Sequence, residues 1–202
     1  MDVDPRLRAA LAVQLRDRHG RRVGWKLGMG DRERIGGGPV MGHLTAATQL
    51  PSGGTYRPEA GAQLHADAEL AIEIGEAGEI AGYGAALELC DLAQCGDAIR
   101  IVETNVFHRA FALGGIRSTS LEPAASGRLL VDGEERAAAP IGDGHEERVR
   151  AVADMLAAVG ERLLPGDVLI TGSVVQVPVR PGDEVVADLG ELGSARLLVV
   201  SR

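Results

Sequence analysis

Between Pro165 and Val199 the chain reads PGDVLITGSVVQVPVRPGDEVVADLGELGSARLLV. Short runs rich in Val, Ile and Leu (VLITG, VVQVPV, DEVVADL, and ARLLVVS to residue 201) alternate with Pro-Gly-Asp and Leu-Gly-Ser. β-Branched residues fit a pleated, half-buried strand, Pro presets φ for a turn, and Gly supplies positive φ. These runs predict successive short strands, and helical periodicity is confined to other parts of the chain. The expected fold class is therefore α+β: a mainly β, curled mixed sheet with flanking helices, not a regular βαβ alternation.

Immediately upstream, His145 to Val159 is the clearest helix: Val149, Val152, Leu156 and Val159 form one apolar stripe, and Gly160 stands ready to end it. At the other end, Asp4 is a candidate N-cap and Pro5 the first helical residue of an amphipathic helix carrying Leu7, Leu11 and Leu15 on one face and ending near Gly20. VGWKLG (23–28) alternates like a strand, and MGDRERIGGGP (29–39) follows as a glycine-rich loop. Leu64 to Ile74 reads as a strand, Gly82 to Cys90 as extended, and Thr104 to Leu113 as helix-like. A length of 202 residues suits one hydrophobic core, so residues 1–202 are expected to form a single domain, with 1–20 as an N-terminal helix.

Composition excludes several function classes. A net charge of −8 with only 2% aromatic residues provides neither the basic surface nor the stacking platform that nucleic acid requires. No apolar run approaches the roughly 18 residues of a membrane span, and the N-terminus lacks a signal-peptide pattern, so a cytoplasmic protein without membrane or nucleic-acid partners is expected. Cys90 and Cys95 are too few for a disulfide framework and are read as ordinary free thiols.

Within the strand from Leu64, His65, Asp67 and Glu69 alternate and therefore share a face. Neighbouring carboxylates repel, and a hard cation such as Mg²⁺ relieves that repulsion with oxygen ligands and water. Glu88, in the apolar segment AALELC, is the natural further ligand because burying it unpaired is costly. The rival reading is a solvated sheet face with Glu88 turned outward. Lys26 is either a cation or acid/base reaching into a pocket or a solvated surface lysine. Asn105 and His108 either present polar groups from a helix face or, for His108, pack inside it; Thr171, Gly172 and Ser173 either bind a carboxylate through N–H groups and hydroxyls or make a turn. GERLLPGDVLITGS lacks a phosphate-loop lysine, and GMGDRERIGGG is no complete dinucleotide fingerprint.

Taken in order, GWKLGM from Gly24, GHL from Gly42, DAELAIEIG from Asp67, ALEL from Ala86 and the whole of Pro165–Val199 resemble the hydratase and decarboxylase branch of the fumarylacetoacetate hydrolase superfamily. The resemblance runs from about residue 20 to the end and is least recognisable between Gly115 and Gly144. It implies a β-roll like that of the fumarylacetoacetase C-terminal domain and Mg²⁺ or Mn²⁺ held by Asp67, Glu69 and Glu88. Lys26 falls on the active-site lysine and Asn105 on an asparagine of the family's pattern; His65, on the Asp67 face by strand alternation, is a second catalytic candidate, and Asn105, Thr171, Gly172 and Ser173 are candidates to bind substrate. Asp67 stands where the pattern has Glu, one methylene longer. The implied activity is hydration of a 2-hydroxy-2,4-dienoate or 2-keto-4-enoate, a small 2-keto acid met in aromatic catabolism, by a homo-oligomeric lyase. The same motifs also cover decarboxylation of a 2-keto diacid, acylpyruvate-type carbon–carbon hydrolysis and a non-catalytic partner subunit.

Overall fold

The computed structural model describes residues 4–28, 39–93 and 97–201; the glycine-rich loop, apart from Pro39, and Cys95 lie outside these. In chain order the elements are α1 (Pro5–Arg16), β1 (Arg22–Gly28), β2 (Val40–Thr45), β3 (Gln49–Leu50), β4 (Gly54–Tyr56), β5 (Leu64–Ile74) and β6 (Ile80–Asp91). There follow α2 (Ala98–Glu103), β7 (His108–Ser118), β8 (Ser126–Val131), β9 (Glu134–Pro140), α3 (His145–Ala157), β10 (Val168–Pro178), β11 (Glu184–Asp188), a 3₁₀ turn (Gly190–Leu192) and β12 (Ser194–Val199). Asp4 caps α1 as expected, its carboxylate accepting from the Arg6 N–H at 2.8 Å. No helix among the described residues is long and apolar enough to cross a membrane.

The strands form a seven-stranded mixed sheet, ordered β2, β1, β10, β5, β6, β7, β3, and a five-stranded sheet, ordered β4, β12, β11, β8, β9. β12 packs on β6 and β7, while β8 and β11 pack on β5. Leu70, Ile72, Leu87, Leu89, Leu129, Val185 and Leu197 fill the space between the sheets. Strand alternation turns Leu70 and Ile72 of β5 toward this core and Asp67 and Glu69 to the opposite face. That face is buried too, with Leu44, Ala71, Ala86, Phe111, Val168 and Ile170 forming a second apolar cluster. A solvated sheet face is thus ruled out for Asp67 and Glu69, which are 5% and 1% exposed.

Two expectations need correction. The helix-like reading of Thr104–Leu113 misplaces the helix, which is Ala98–Glu103. Asn105, Val106 and Phe107 then follow in the left-handed region (φ 61°, 53° and 65°), and from His108 the chain is strand, because pairing with β6 outweighs local periodicity. VLITG and VVQVPV are one strand, β10, with register shifts on either side of Ser173. The weakly legible stretch 115–144 contains the β8–β9 hairpin, turned by Asp132-Gly133 with both residues at positive φ.

Candidate metal centre

Pairing of β5 with β6 sets Asp67 opposite Glu88, His65 opposite Cys90 and Glu69 opposite Ala86. Residues directly opposite share a face, so register alone brings the acidic groups together. β1 contributes Lys26, although β10 and β5 separate β1 from β6. In a flat sheet those three spacings amount to about 14 Å with side chains standing side by side. Lys26 Nζ nevertheless lies 2.6 Å from Glu88 Oε1, so the sheet curls around the site. Gly42 permits this approach: a Cβ there would meet Asn105 Oδ1 at 2.6 Å and Lys26 Cγ at 2.8 Å.

Glu88 Oε1 accepts from both Lys26 Nζ and His108 Nδ1, each at 2.6 Å. Burial alone would raise the Glu88 pKa, but Lys26 and His108 more than offset it and hold the group at about 2. Burial keeps His108 neutral, its pKa lowered despite Glu88. Against an ionised carboxylate its Nδ1 must carry the proton, leaving Nε2 to accept from the Thr48 hydroxyl at 2.9 Å. Lys26 also donates to the Val106 carbonyl at 2.9 Å. Burial works against its charge, but Cys90, Glu88 and Glu69 outweigh that and raise its pKa. Lys26 is therefore a fixed cation, unsuited to act as a base at neutral pH.

Asp67 and Glu69 have no such counterion of their own. Burial, then the Glu88 charge, raises Asp67 to about 7, with Lys26, Gln176 and Cys90 pulling the other way. Glu69 is raised well above the usual carboxylate range for the same two reasons, although its Oε2 accepts the Gly172 N–H at 2.8 Å. Asp67 Oδ1 and Glu88 Oε2 are buried with no hydrogen-bond partner among the described residues. Three buried carboxylates thus face one ammonium, and ionising all three would leave two negative charges unmatched. Unpaired acceptors with that charge deficit fit a divalent cation. Among the described residues, donor atoms of Asp67, Glu88 and Cys90 all lie within 4.8 Å of one another; Glu69 stands beside this group and outside it.

The remaining candidates are spread more widely. The His65 ring turns to the Gln63 carbonyl, with Nδ1 3.3 Å away. Asn105 is occupied with the His43 backbone, accepting its N–H at 2.8 Å and donating to its carbonyl at 3.0 Å, and so ties the left-handed turn to β2. Gly172 positions Glu69; Thr171 is buried, and its carbonyl accepts from Arg148 at 3.4 Å; Ser173 is exposed. Sequence reading missed two members of the site, Thr48 and Cys90, and left His108 open between a polar group and a packed one. The Cys90 signal was available, since it lies two residues beyond Glu88 on the same strand face.

A scan against protein-family models finds no match, and none of the curated proteins matches either. Solved structures do match. 4-Oxalocrotonate decarboxylase from Pseudomonas putida G7, complexed with magnesium and adipate, is 22% identical, with a TM-score of 0.82 over 96% of this chain and 86% of that one. Fumarylpyruvate hydrolase from Pseudomonas aeruginosa, in complex with Mn²⁺ and pyruvate, gives 19% identity and 0.65 over 91% of each chain. A 2-keto-3-deoxy-D-arabinonate dehydratase, complexed with magnesium and 2,5-dioxopentanoate, gives 15% and 0.69 over 90% and 74%. The chain has the fold these proteins share, the fumarylacetoacetate hydrolase-like fold.

Proposed function

We propose that this chain is a metal-dependent enzyme of the fumarylacetoacetate hydrolase superfamily that acts on a small 2-keto acid, and that its reaction is the hydration of a 2-keto-4-enoate. The observation that carries the reading is the charge deficit: buried Asp67, Glu69 and Glu88 against Lys26 alone, with unpartnered carboxylate oxygens. Asp67 and Glu88 would hold Mg²⁺ or Mn²⁺, with Glu69 alongside. The ion would supply Lewis-acid stabilisation of negative charge developing on a 2-oxo group. The fold neighbours support the substrate class, since the compounds in their names or complexes include 4-oxalocrotonate, pyruvate and a 2-keto sugar acid.

The chain's own residues divide the remaining work. Lys26, kept charged, orients Glu88 and offers positive charge to an anionic substrate. His108, neutral and hydrogen-bonded to Thr48, fixes Glu88 from the other side. The Gly172 N–H holds Glu69 in place beside the centre.

Decarboxylation is the second reading, favoured by the 0.82 score to a decarboxylase. A product assay on metal-stripped protein, resupplied with Mg²⁺ or Mn²⁺ and a panel of 2-keto acids, separates the outcomes. Hydration gives a 4-hydroxy-2-keto acid, decarboxylation releases CO₂, and hydrolysis of an acylpyruvate gives two fragments. Should Glu69→Ala, Glu88→Ala protein give the same calorimetric metal isotherm as wild type, the metal reading is wrong.

A further inference from the structure

Cys90 lies in the middle of the proposed centre. Its thiol is free, buried and 3% exposed. Sγ is 3.7 Å from Asp67 Oδ2 and 3.7 Å from Lys26 Nζ. It shares a sheet face with Asp67 and Glu88 through the β5–β6 register, and the three residues' donor atoms fall within one 4.8 Å cluster. A packing role alone leaves one fact unexplained: with the thiol hydrogen-bonded to Oδ2, Asp67 Oδ1 and Glu88 Oε2 remain buried and without partners among the described residues.

The geometry points to Cys90 as a third protein ligand, giving the centre a mixed carboxylate–thiolate donor set that selects Mn²⁺ or a later transition-metal ion over Mg²⁺. The inference rests on the metal reading above and goes further by naming the ion class. Sγ and Asp67 Oδ2 are 3.7 Å apart, close enough for one ion to bond both at roughly 2.1–2.3 Å. On coordination the S–H bond breaks, the sulfur lone pair forms the metal bond and the proton leaves to solvent, with the Lys26 ammonium beside the sulfur to favour its anionic form. Thiolate is a soft donor that hard Mg²⁺ binds poorly and that Mn²⁺ and, more strongly, later first-row ions such as Co²⁺ and Zn²⁺ accept. Lys26 thereby gains a second task, since it touches both Glu88 and Cys90.

The test uses the full chain, stripped with chelator and titrated with Mg²⁺, Mn²⁺ and Co²⁺. Wild type loaded with Co²⁺ should show a thiolate-to-metal charge-transfer band in the near ultraviolet, and Cys90→Ser should lack it. The Mn²⁺ over Mg²⁺ affinity ratio should fall about tenfold or more in Cys90→Ser. A wild-type Co²⁺ complex without the band overturns the proposal even if the variant fails to fold. An unchanged Mn²⁺ to Mg²⁺ ratio in folded Cys90→Ser, as judged by circular dichroism, overturns it as well. In either case Mg²⁺ binding that disappears in Glu69→Ala, Glu88→Ala protein would leave the metal reading standing. Failure of all three ions to bind wild type would remove both.

Discussion

Asp67 and Asp167 are almost equally buried, at 5% and 6% exposure, yet they are treated in opposite ways. Asp167 sits in the first Pro-Gly-Asp turn with both oxygens engaged. Oδ2 accepts from the Leu164 N–H at 2.8 Å and from Trp25 Nε1 at 3.2 Å, while Oδ1 meets Arg22 Nε at 3.1 Å. Asp67 keeps one oxygen unpartnered, has no guanidinium and is pushed toward its neutral form. Adjacent residues of β1 serve the two: Trp25 caps the satisfied aspartate, and Lys26 reaches the acidic cluster on the other face. A buried carboxylate that is fully paired contributes to the fold, whereas one left short of partners marks a place where stability is given up for binding.

Lys26 offers the hardest test of this contrast. Lys26→Ala should lower turnover on the order of 100-fold or more, as for loss of a positioned charge. It should also destabilise the protein by about 3–5 kcal/mol, because Glu88 would be left buried without its cation. As a pure surface residue, Lys26 would move neither number; thermal melts and steady-state rates on one preparation decide.

Asp167→Ala should cost about 3 kcal/mol by stranding the Trp25 and Leu164 N–H groups and the Arg22 charge. The metal isotherm should not change. A variant that loses metal affinity while remaining folded would erase the distinction between the two aspartates.

Metal itself should act on only one of them. At a free concentration about 100 times its dissociation constant, an ion that binds only the folded state raises stability by about 2.7 kcal/mol. Wild type and folded Asp167→Ala should share that rise in melting temperature, and Asp67→Asn should largely lose it.

The pH dependence sharpens the comparison most. Without metal, Asp67→Asn should be more stable than wild type at pH 8. A carboxyl raised from 3.8 to about 7 holds, when folded, a proton that the unfolded chain has already lost. The native state then binds more protons than the unfolded state, so the Asp67 contribution to stability falls as pH rises from about 4 to 7. The variant's advantage should therefore grow across that window and vanish below it. Denaturant midpoints at pH 4 and 8 check this, and an advantage that is equal at both would show that Asp67 is not held in its neutral form.

Local chemistry carried much of the fold. The Asp4 cap, the strand from Leu64 to Ile74, the α3 stripe and both Pro-Gly-Asp turns were legible because each depends on residues a few positions apart. The same alternation grouped Asp67 with Glu69, and the apolar setting of Glu88 singled it out. Sequence spacing could not show that β10 inserts between β1 and β5, that the sheet curls until residues 62 apart meet at 2.6 Å, or that three left-handed residues aim the Val106 carbonyl at Lys26. Nor could it separate His65, turned to the Gln63 carbonyl, from His108, which holds Glu88. Side-chain alternation assigns a residue to a face, but which residues on that face touch is set by register and curvature. Those are settled by packing between distant strands, so the sequence by itself determined which polar residues share the face, and tertiary structure alone decided their partners.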